Sequence, residues 1–169
     1  REKALIPAME PYTVLGHDVS GVSTLNPDLL LAEGDDAIVD WMLYQVRDSV
    51  DPTNVVLTQA ALIQRDGDLV NAETGANVFR LDEAMAGDYY LSVLHRNHLG
   101  VMTAEPVTLG AEYVMVDFSE TTTATYGANA QIIASDRAVM RAGDANHDGQ
   151  VIAQGNGNDL NVLLGLVLG

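Results

Sequence analysis

Side chains that carry oxygen alternate near the end of the chain, at Asp144, Asn146 and Asp148. This alternation allows their oxygens to converge on one point, and calcium is a hard cation that takes six to eight oxygen ligands. Gly149 follows where a calcium loop needs a sharp bend, and Gln150 stands where such a loop contributes a backbone carbonyl. These five positions together predict a Ca²⁺ site.

The same order of residues matches the first half of an EF-hand loop, whose twelfth position carries a bidentate acid. Here the twelfth position is Gly155, which has no side-chain oxygen. We therefore expect residues 153–157 to bulge outward, so that Asp159 returns as the bidentate ligand and caps the helix that follows. Asn158 is the alternative or additional ligand at this end. The competing interpretation is an Asx-rich turn that binds no metal.

The segment Leu160–Leu168 follows the acidic run and is apolar nearly all round at helical spacing. An element of this kind must be covered by other protein surface. It predicts a short apolar helix packed on its own domain. The alternative is burial in another subunit, as a helix or as a donated strand.

Other side chains with chemical potential are better explained by turns than by catalysis. His95 and His98 are three residues apart and suit a transition metal, but their position around a turn favours hydrogen bonds to the local backbone. No serine lies in a G-x-S-x-G elbow, and GQVIAQGNG lacks the lysine of a phosphate-binding loop. We therefore expect no enzymatic activity. The acids Asp66, Asp68 and Glu73 surround a hairpin turn and are interpreted as ordinary turn formers, with a weak second calcium site as the alternative. A carbohydrate platform would need exposed aromatic residues, for which Tyr12, Tyr113 and Tyr126 are the candidates.

Composition limits the partners of the chain. Its 169 residues carry 8 Lys plus Arg against 24 Asp plus Glu, a formal net charge of -16. Such a surface repels nucleic acids and anionic membranes and attracts cations. Cysteine is absent, which excludes disulfides and thiolate metal sites. No apolar run reaches the ~20 residues of a membrane helix, so we expect no membrane insertion.

Apolar residues alternate in several short segments, which predicts a mainly β protein. Ala37–Arg47 has apolar residues on both faces and is predicted to be a central strand. Strands joined by turns, without interleaved helices, favour an antiparallel β-sandwich over residues 37–142. Residues 129–142 fit a helix or a strand equally. The other predicted strands are Val55–Gln64, Leu69–Val70, Val78–Leu81, Tyr89–His95, Val101–Leu109 and Tyr113–Phe118.

The remaining divisions are an extended, turn-rich segment at residues 1–36 and the calcium loop with its apolar end at 143–169. Five blocks resemble a modular region near the C-termini of large secreted and cell-surface proteins, chiefly of Bacteroidota. They are IPAMEPYT (6–13), AIVDWMLYQVRD (37–48), AALIQRDGDLVNAETG (60–75), HRNHLGVMTAEPVTL (95–109) and AGDANHDGQV (142–151).

This resemblance implies export, association with the cell surface and a dockerin-like or EF-hand-type calcium loop. The chain has one such loop, whereas a true dockerin has a duplicated pair. Because related regions carry more sequence before IPAMEPYT, we expect this chain to be a mature or trimmed form. The resemblance implies no enzymatic activity and no particular ligand.

We therefore expect an extracellular, calcium-stabilised structural or assembly module, for example a subunit of a surface filament. Self-association or contact with neighbouring domains would use Leu160–Leu168 and the N-terminal segment. The alternative is an adhesive or glycan-binding module of a larger secreted protein, which would recognise a glycan or a surface receptor.

Overall fold

Antiparallel β-strands dominate the computed structural model, which describes residues 6–80, 85–146 and 148–161. The prediction of a mainly β protein is therefore confirmed. Two predicted features lie outside the described residues: any contact of residues 1–5, and the apolar run from 162 to 168. The described strands are β1 (Ile38–Asp48), β2 (Val55–Gln64), β3 (Leu69–Val70), β4 (Gly87–His95), β5 (His98–Met102), β6 (Val107–Leu109), β7 (Gln131–Ala134) and β8 (Arg137–Met140).

The chain divides into two compact units. The first comprises residues 1–91 and 106–114, and the second comprises residues 92–105 and 115–169. Strand β4 contributes its first residues to the first unit and its last residues to the second. The boundaries predicted at residues 36 and 142 stay a prediction.

Strand β1 is central in the sheet, whose order is β3-β2-β1-β4-β5 with β6 also paired to β4. It pairs with β2 so that Trp41 lies opposite Leu62 and Leu43 lies opposite Ala60. Trp41, Leu43 and Leu62 are each 0% exposed. Burial of a large apolar side chain contributes about 1.5–3 kcal/mol, so this strand pair forms the core of the first unit. The predicted central strand is confirmed, shifted by one residue.

The N-terminal segment is anchored to this core by hydrogen bonds. The indole Nε1 of Trp41 donates to the carbonyl oxygen of Pro7 at 2.8 Å, and the Tyr12 hydroxyl donates to the carbonyl oxygen of Trp41 at 2.8 Å. The buried carboxylate of Glu10 accepts the backbone N–H of Tyr12 at 2.6 Å. Three short 3-10 helices lie in residues 6–36, at Thr13–Leu15, Pro27–Leu31 and Gly34–Asp36.

The second unit contains two hairpins. Strands β4 and β5 pair through Ser92 opposite Met102 and Val93 opposite Val101, and the connecting turn is reduced to Arg96–Asn97. Strands β7 and β8 form the other hairpin and resolve the open prediction for residues 129–142 in favour of strands. No helix within the described ranges is long and apolar enough to cross a membrane.

Three predicted strands are wrong in part. Residues 78–80 form no strand, and the ring of Phe79 packs instead against that of Tyr44, with ring centroids 4.6 Å apart. Residues 113–118 are irregular, and Tyr113 and Met115 expose 65% and 79% of their surface, because no strand among the described residues pairs with them. The predicted strand 101–109 divides into β5 and β6, with β5 beginning three residues early at His98.

Candidate metal centre

The acidic run begins directly beside strand β5. The backbone N–H of Leu99 donates to the carbonyl oxygen of Arg141 at 2.8 Å, and the N–H of Gly143 donates to the carbonyl oxygen of Asn97 at 3.0 Å. Gly143 has a φ of +121°, which an L residue rarely adopts. The strand therefore fixes the position at which the chain turns into Asp144.

Asp144 is the organising residue of the first half of the run. Its side chain is 5% exposed. One carboxylate oxygen accepts the N–H of Asp148 at 3.1 Å, and the other accepts the N–H of Gly149 at 3.2 Å. Gly149 has a φ of +78°, so the sharp bend predicted at this position is present. The backbone thus wraps around the carboxylate.

Asn146 and Asp148 continue the turn. The side-chain oxygen of Asn146 accepts the N–H of Asp148 at 3.0 Å, and Asp148 Oδ1 accepts the N–H of Gln150 at 2.9 Å. The Asn146 amide nitrogen lies 3.1 Å from Asp148 Oδ2, so the two side chains are in contact. A carbonyl oxygen has two lone pairs, so Asn146 Oδ1 can keep its hydrogen bond while binding a cation.

Asp159 returns to this turn after a bulge. Its N–H donates to the carbonyl oxygen of Ile152 at 3.0 Å, and its Oδ2 accepts the N–H of Ile152 at 2.9 Å. Its Oδ1 accepts the N–H groups of Ala145 at 2.7 Å and Asn146 at 3.3 Å. The hydrogen bonds from Ile152 and then from Ala145 and Asn146 lower the pKa of Asp159, because they stabilise its ionised form.

The bulge also brings a backbone carbonyl that the sequence analysis did not include. The carbonyl oxygen of Gly157 accepts the side-chain amide of Asn146 at 2.6 Å. Gly157 has a φ of +71°, and a Cβ at this position would lie 3.1 Å from Asp148 Oδ2. The Gly-Asn-Gly run at residues 155–157 indicates a turn, but it does not predict the direction of the Gly157 carbonyl.

Asn158 serves the following helix. Its Oδ1 accepts the N–H of Asn161 at 2.9 Å, and its amide donates to the carbonyl oxygen of Gly155 at 2.5 Å. Helical residues begin at Asp159, as predicted, but the cap is Asn158. This correction follows from geometry, because a cap must precede the first helical residue. Asp159 directs its carboxylate to the acidic run instead.

The donor set suits a hard cation. Asp144 and Asp159 are 5% and 4% exposed, and within the described part of the chain their hydrogen-bond partners are backbone N–H groups, with no Lys or Arg among them. Buried charges in proteins are paired or coordinate metals. In residues 6–80, 85–146 and 148–161, no three His, Cys, Asp or Glu side chains form a group that could hold a metal ion. The predicted set includes the amide oxygen of Asn146 and the carbonyl of Gln150, and it stays a prediction.

The other candidate residues are placed as follows. Asp66 Oδ1 accepts the N–H of Asp68 at 3.2 Å, which is an ordinary turn contact. Tyr12 is 1% exposed, so its assignment to an exposed aromatic platform is wrong: its hydroxyl is used inside the first unit. Tyr113 and Tyr126 are 65% and 59% exposed. Searches against protein-family models, curated proteins and solved structures give no match to this chain.

Proposed function

We propose that this chain is an extracellular, calcium-stabilised structural or assembly module, with a subunit of a surface filament as one form of it. The observation that carries the proposal is the pair of buried carboxylates, Asp144 and Asp159, held by backbone N–H groups. Two buried negative charges in a chain of net charge -16 favour a bound cation. The β-sandwich architecture and the EF-hand-like form of the loop belong to the same proposal.

The proposed ligands are the oxygens of Asp144, Asn146, Asp148 and Asp159 and the backbone carbonyl of Gln150. The carbonyl of Gly157 is a further candidate, because it already contacts the side chain of Asn146. All are oxygen atoms, as Ca²⁺ requires. Bound calcium would neutralise the acids and hold the bulge closed.

A structural role follows from the position of the loop. Its start is hydrogen-bonded to the turn at Asn97, and its end begins the helical residues at Asp159. A cation bound between these ends would fix the terminal segment to the β4–β5 hairpin. Calcium would therefore stabilise the second unit without taking part in any reaction.

An assembly role is supported by exposed apolar side chains at the segments expected to make contacts. In the N-terminal segment Val14 and Leu31 expose 87% and 65% of their surface, and Leu160 at the other end exposes 46%. Association would remove this apolar surface from water, which is favourable. Export and association with the cell surface enter the proposal from the family resemblance.

Light scattering on a size-exclusion column, run in EDTA and in millimolar calcium, tests this function. We expect an assembled mass in calcium together with a higher melting temperature. The matched control is Asp144→Ala, which should lose the calcium-dependent rise in melting temperature. A wild-type protein that is strictly monomeric in EDTA and in calcium would contradict the assembly role. Calcium stabilisation is tested separately, by the change in melting temperature.

Two exposed tyrosines favour the second candidate, an adhesive or glycan-binding module. Tyr113 and Tyr126 present aromatic surface of the kind that stacks on sugar rings. A glycan array would give a signal that Tyr113→Ala and Tyr126→Ala abolish, whereas Tyr12→Phe, inside the core, would preserve it. An array signal unaffected by both exposed substitutions would reject this candidate.

A further inference from the structure

Two histidines face each other across the β4–β5 hairpin. His95 ends β4, His98 begins β5, and the two residues are paired in the strand register. Their Nδ1 atoms are 2.8 Å apart, and the ring centroids are 4.7 Å apart with planes inclined by 73°. The short turn Arg96–Asn97 brings the two rings together, which their spacing of three residues did not reveal.

The turn also places a backbone donor beside the pair. His95 Nδ1 accepts the N–H of Asn97 at 3.2 Å, so this nitrogen carries a lone pair. The two Nδ1 atoms are at hydrogen-bond distance from each other, so they share a proton. Both rings are half-buried and hold one nitrogen each in a fixed mutual position.

We propose that His95 and His98 form a two-nitrogen chelating site for a divalent late transition metal of the Cu(II) or Ni(II) class. Imidazole is a preferred ligand of these metals, which favour square-planar or tetragonal geometry. Two nitrogens at about 2.0 Å from a metal and at right angles to each other are about 2.8 Å apart. A tetrahedral zinc site would place them about 3.3 Å apart, so the pair needs a smaller change in separation to bind the tetragonal metals.

Binding requires a small rearrangement within the pair. A metal needs a lone pair on both Nδ1 atoms, so the proton that they share moves to a ring Nε2 or to water as the metal binds. Each ring then rotates until both Nδ1 lone pairs point at the metal, which lies to one side of the line between the two Nδ1 atoms. The hydrogen bond from the N–H of Asn97 to His95 is lost. Water completes the coordination sphere.

The overall charge of the chain favours the approach of a cation. The net charge of -16 raises the local concentration of divalent ions at the surface. The site uses nitrogen ligands, whereas the calcium loop uses oxygen ligands, so the two sites select different metals. This inference therefore stands independently of the proposed calcium function.

Titration of the whole chain with Cu(II) in saturating calcium, followed by electron paramagnetic resonance and calorimetry, tests the site. Calcium in excess competes with copper for the oxygen ligands of the acidic side chains. We expect about one equivalent of copper with hyperfine structure from two nitrogens. In His95→Asn and His98→Asn the affinity should fall at least about tenfold with one nitrogen remaining.

Asparagine is the matched replacement, because its side-chain oxygen or nitrogen occupies the position of Nδ1 and can keep the turn hydrogen bonds. His17→Asn removes another histidine and should leave copper binding unchanged. Equal copper affinity in wild type, His95→Asn and His98→Asn would overturn the proposal.

A second measurement needs no variant. Substoichiometric Cu(II) should broaden the ring proton resonances of His95 and His98 in the wild-type spectrum before those of His17. Ring signals of the pair that stay sharp while copper binds elsewhere would also overturn the site.

Discussion

The carboxylate of Asp159 accepts a hydrogen bond from the backbone N–H of Ala145 at 2.7 Å, although fourteen residues separate them. This bond closes the acidic run into a ring that starts beside strand β5 and ends at the first helical residue. Two further hydrogen bonds close the bulge between Ile152 and Asp159. The N–H of Asp159 donates to the carbonyl oxygen of Ile152, and the N–H of Ile152 donates to the Asp159 carboxylate. The position of one acid is thus fixed by contacts far along the chain.

Calcium should raise the stability of the protein by linkage. At a concentration 100 times the dissociation constant the gain is about 2.7 kcal/mol, which corresponds to roughly 5–10 °C in a chain of this size. Asp144→Ala should remove most of this gain in a thermal melt that compares calcium with EDTA. Asp66→Ala, at an exposed turn, is the control and should respond to calcium like the wild type. Equal calcium responses in Asp144→Ala and wild type would refute the site.

Acid should weaken the calcium-free protein through Asp159. Its folded pKa lies below the unfolded value of about 3.9. A lowered carboxyl pKa contributes stability above the unfolded pKa, and this contribution disappears as the pH falls through the folded pKa. Asp159→Asn cannot ionise, so its loss of stability should be largest at neutral pH and shrink below about pH 4.

Urea denaturation of both proteins in EDTA across this pH range measures the effect. Asp48 and Asp117 also have lowered pKa values, but they are present in both proteins and cancel in the difference. A stability difference that stays constant down to low pH would show that the Asp159 charge is not responsible.

Two glycines of the bulge give a matched test of the contact with Asp148. Gly155 and Gly157 have φ values of +104° and +71°, so alanine strains the backbone at both. Only at Gly157 would the added Cβ meet Asp148 Oδ2, at 3.1 Å; at Gly155 nothing lies within 4 Å. Gly157→Ala should therefore weaken calcium binding about tenfold more than Gly155→Ala, or about 1.4 kcal/mol. Calorimetric titration with calcium measures the affinity of each variant. Equal losses of affinity in the two variants would exclude Gly157 from the site.

Asn158 should behave as a helix cap. Asn158→Ala removes the acceptor for the N–H of Asn161 and should cost about 1 kcal/mol. Because a cap does not depend on the metal, this loss should be the same in EDTA and in calcium. Asn158→Asp keeps the acceptor and should restore the EDTA stability. A loss that appears only in calcium would instead make Asn158 a ligand.

The Tyr12 hydroxyl should hold the N-terminal segment on the first unit. Tyr12→Phe removes its bond to the carbonyl oxygen of Trp41 and should cost about 1 kcal/mol, with faster proteolysis of residues 6–36. Tyr126→Phe is the control, because Tyr126 is 59% exposed. Similar unfolding free energies for the two variants would contradict the anchoring role.

The long strands could be predicted because their signal is local. Ile38–Asp48 and Val55–Gln64 have dense apolar residues on both faces, and such segments are stable only inside a sheet. The predicted strand at residues 113–118 has a similar local pattern but pairs with no strand in the described part of the chain, and Tyr113 and Met115 remain exposed. Pairing is a property of two segments, so apolar alternation in one of them cannot establish it.

By itself the sequence determined the mainly β class, the central strand and the oxygen-rich run from Asp144 to Gln150, because each depends on neighbouring residues. The return of Asp159 to this run was expected from the sequence, but only the tertiary structure decided that its carboxylate accepts the N–H of Ala145. It also decided that Gly157 directs its carbonyl to Asn146 and that the Nδ1 atoms of His95 and His98 meet. The physical reason is that a hydrogen bond acts over about 3 Å. Which distant groups come this close depends on the path of the backbone between them.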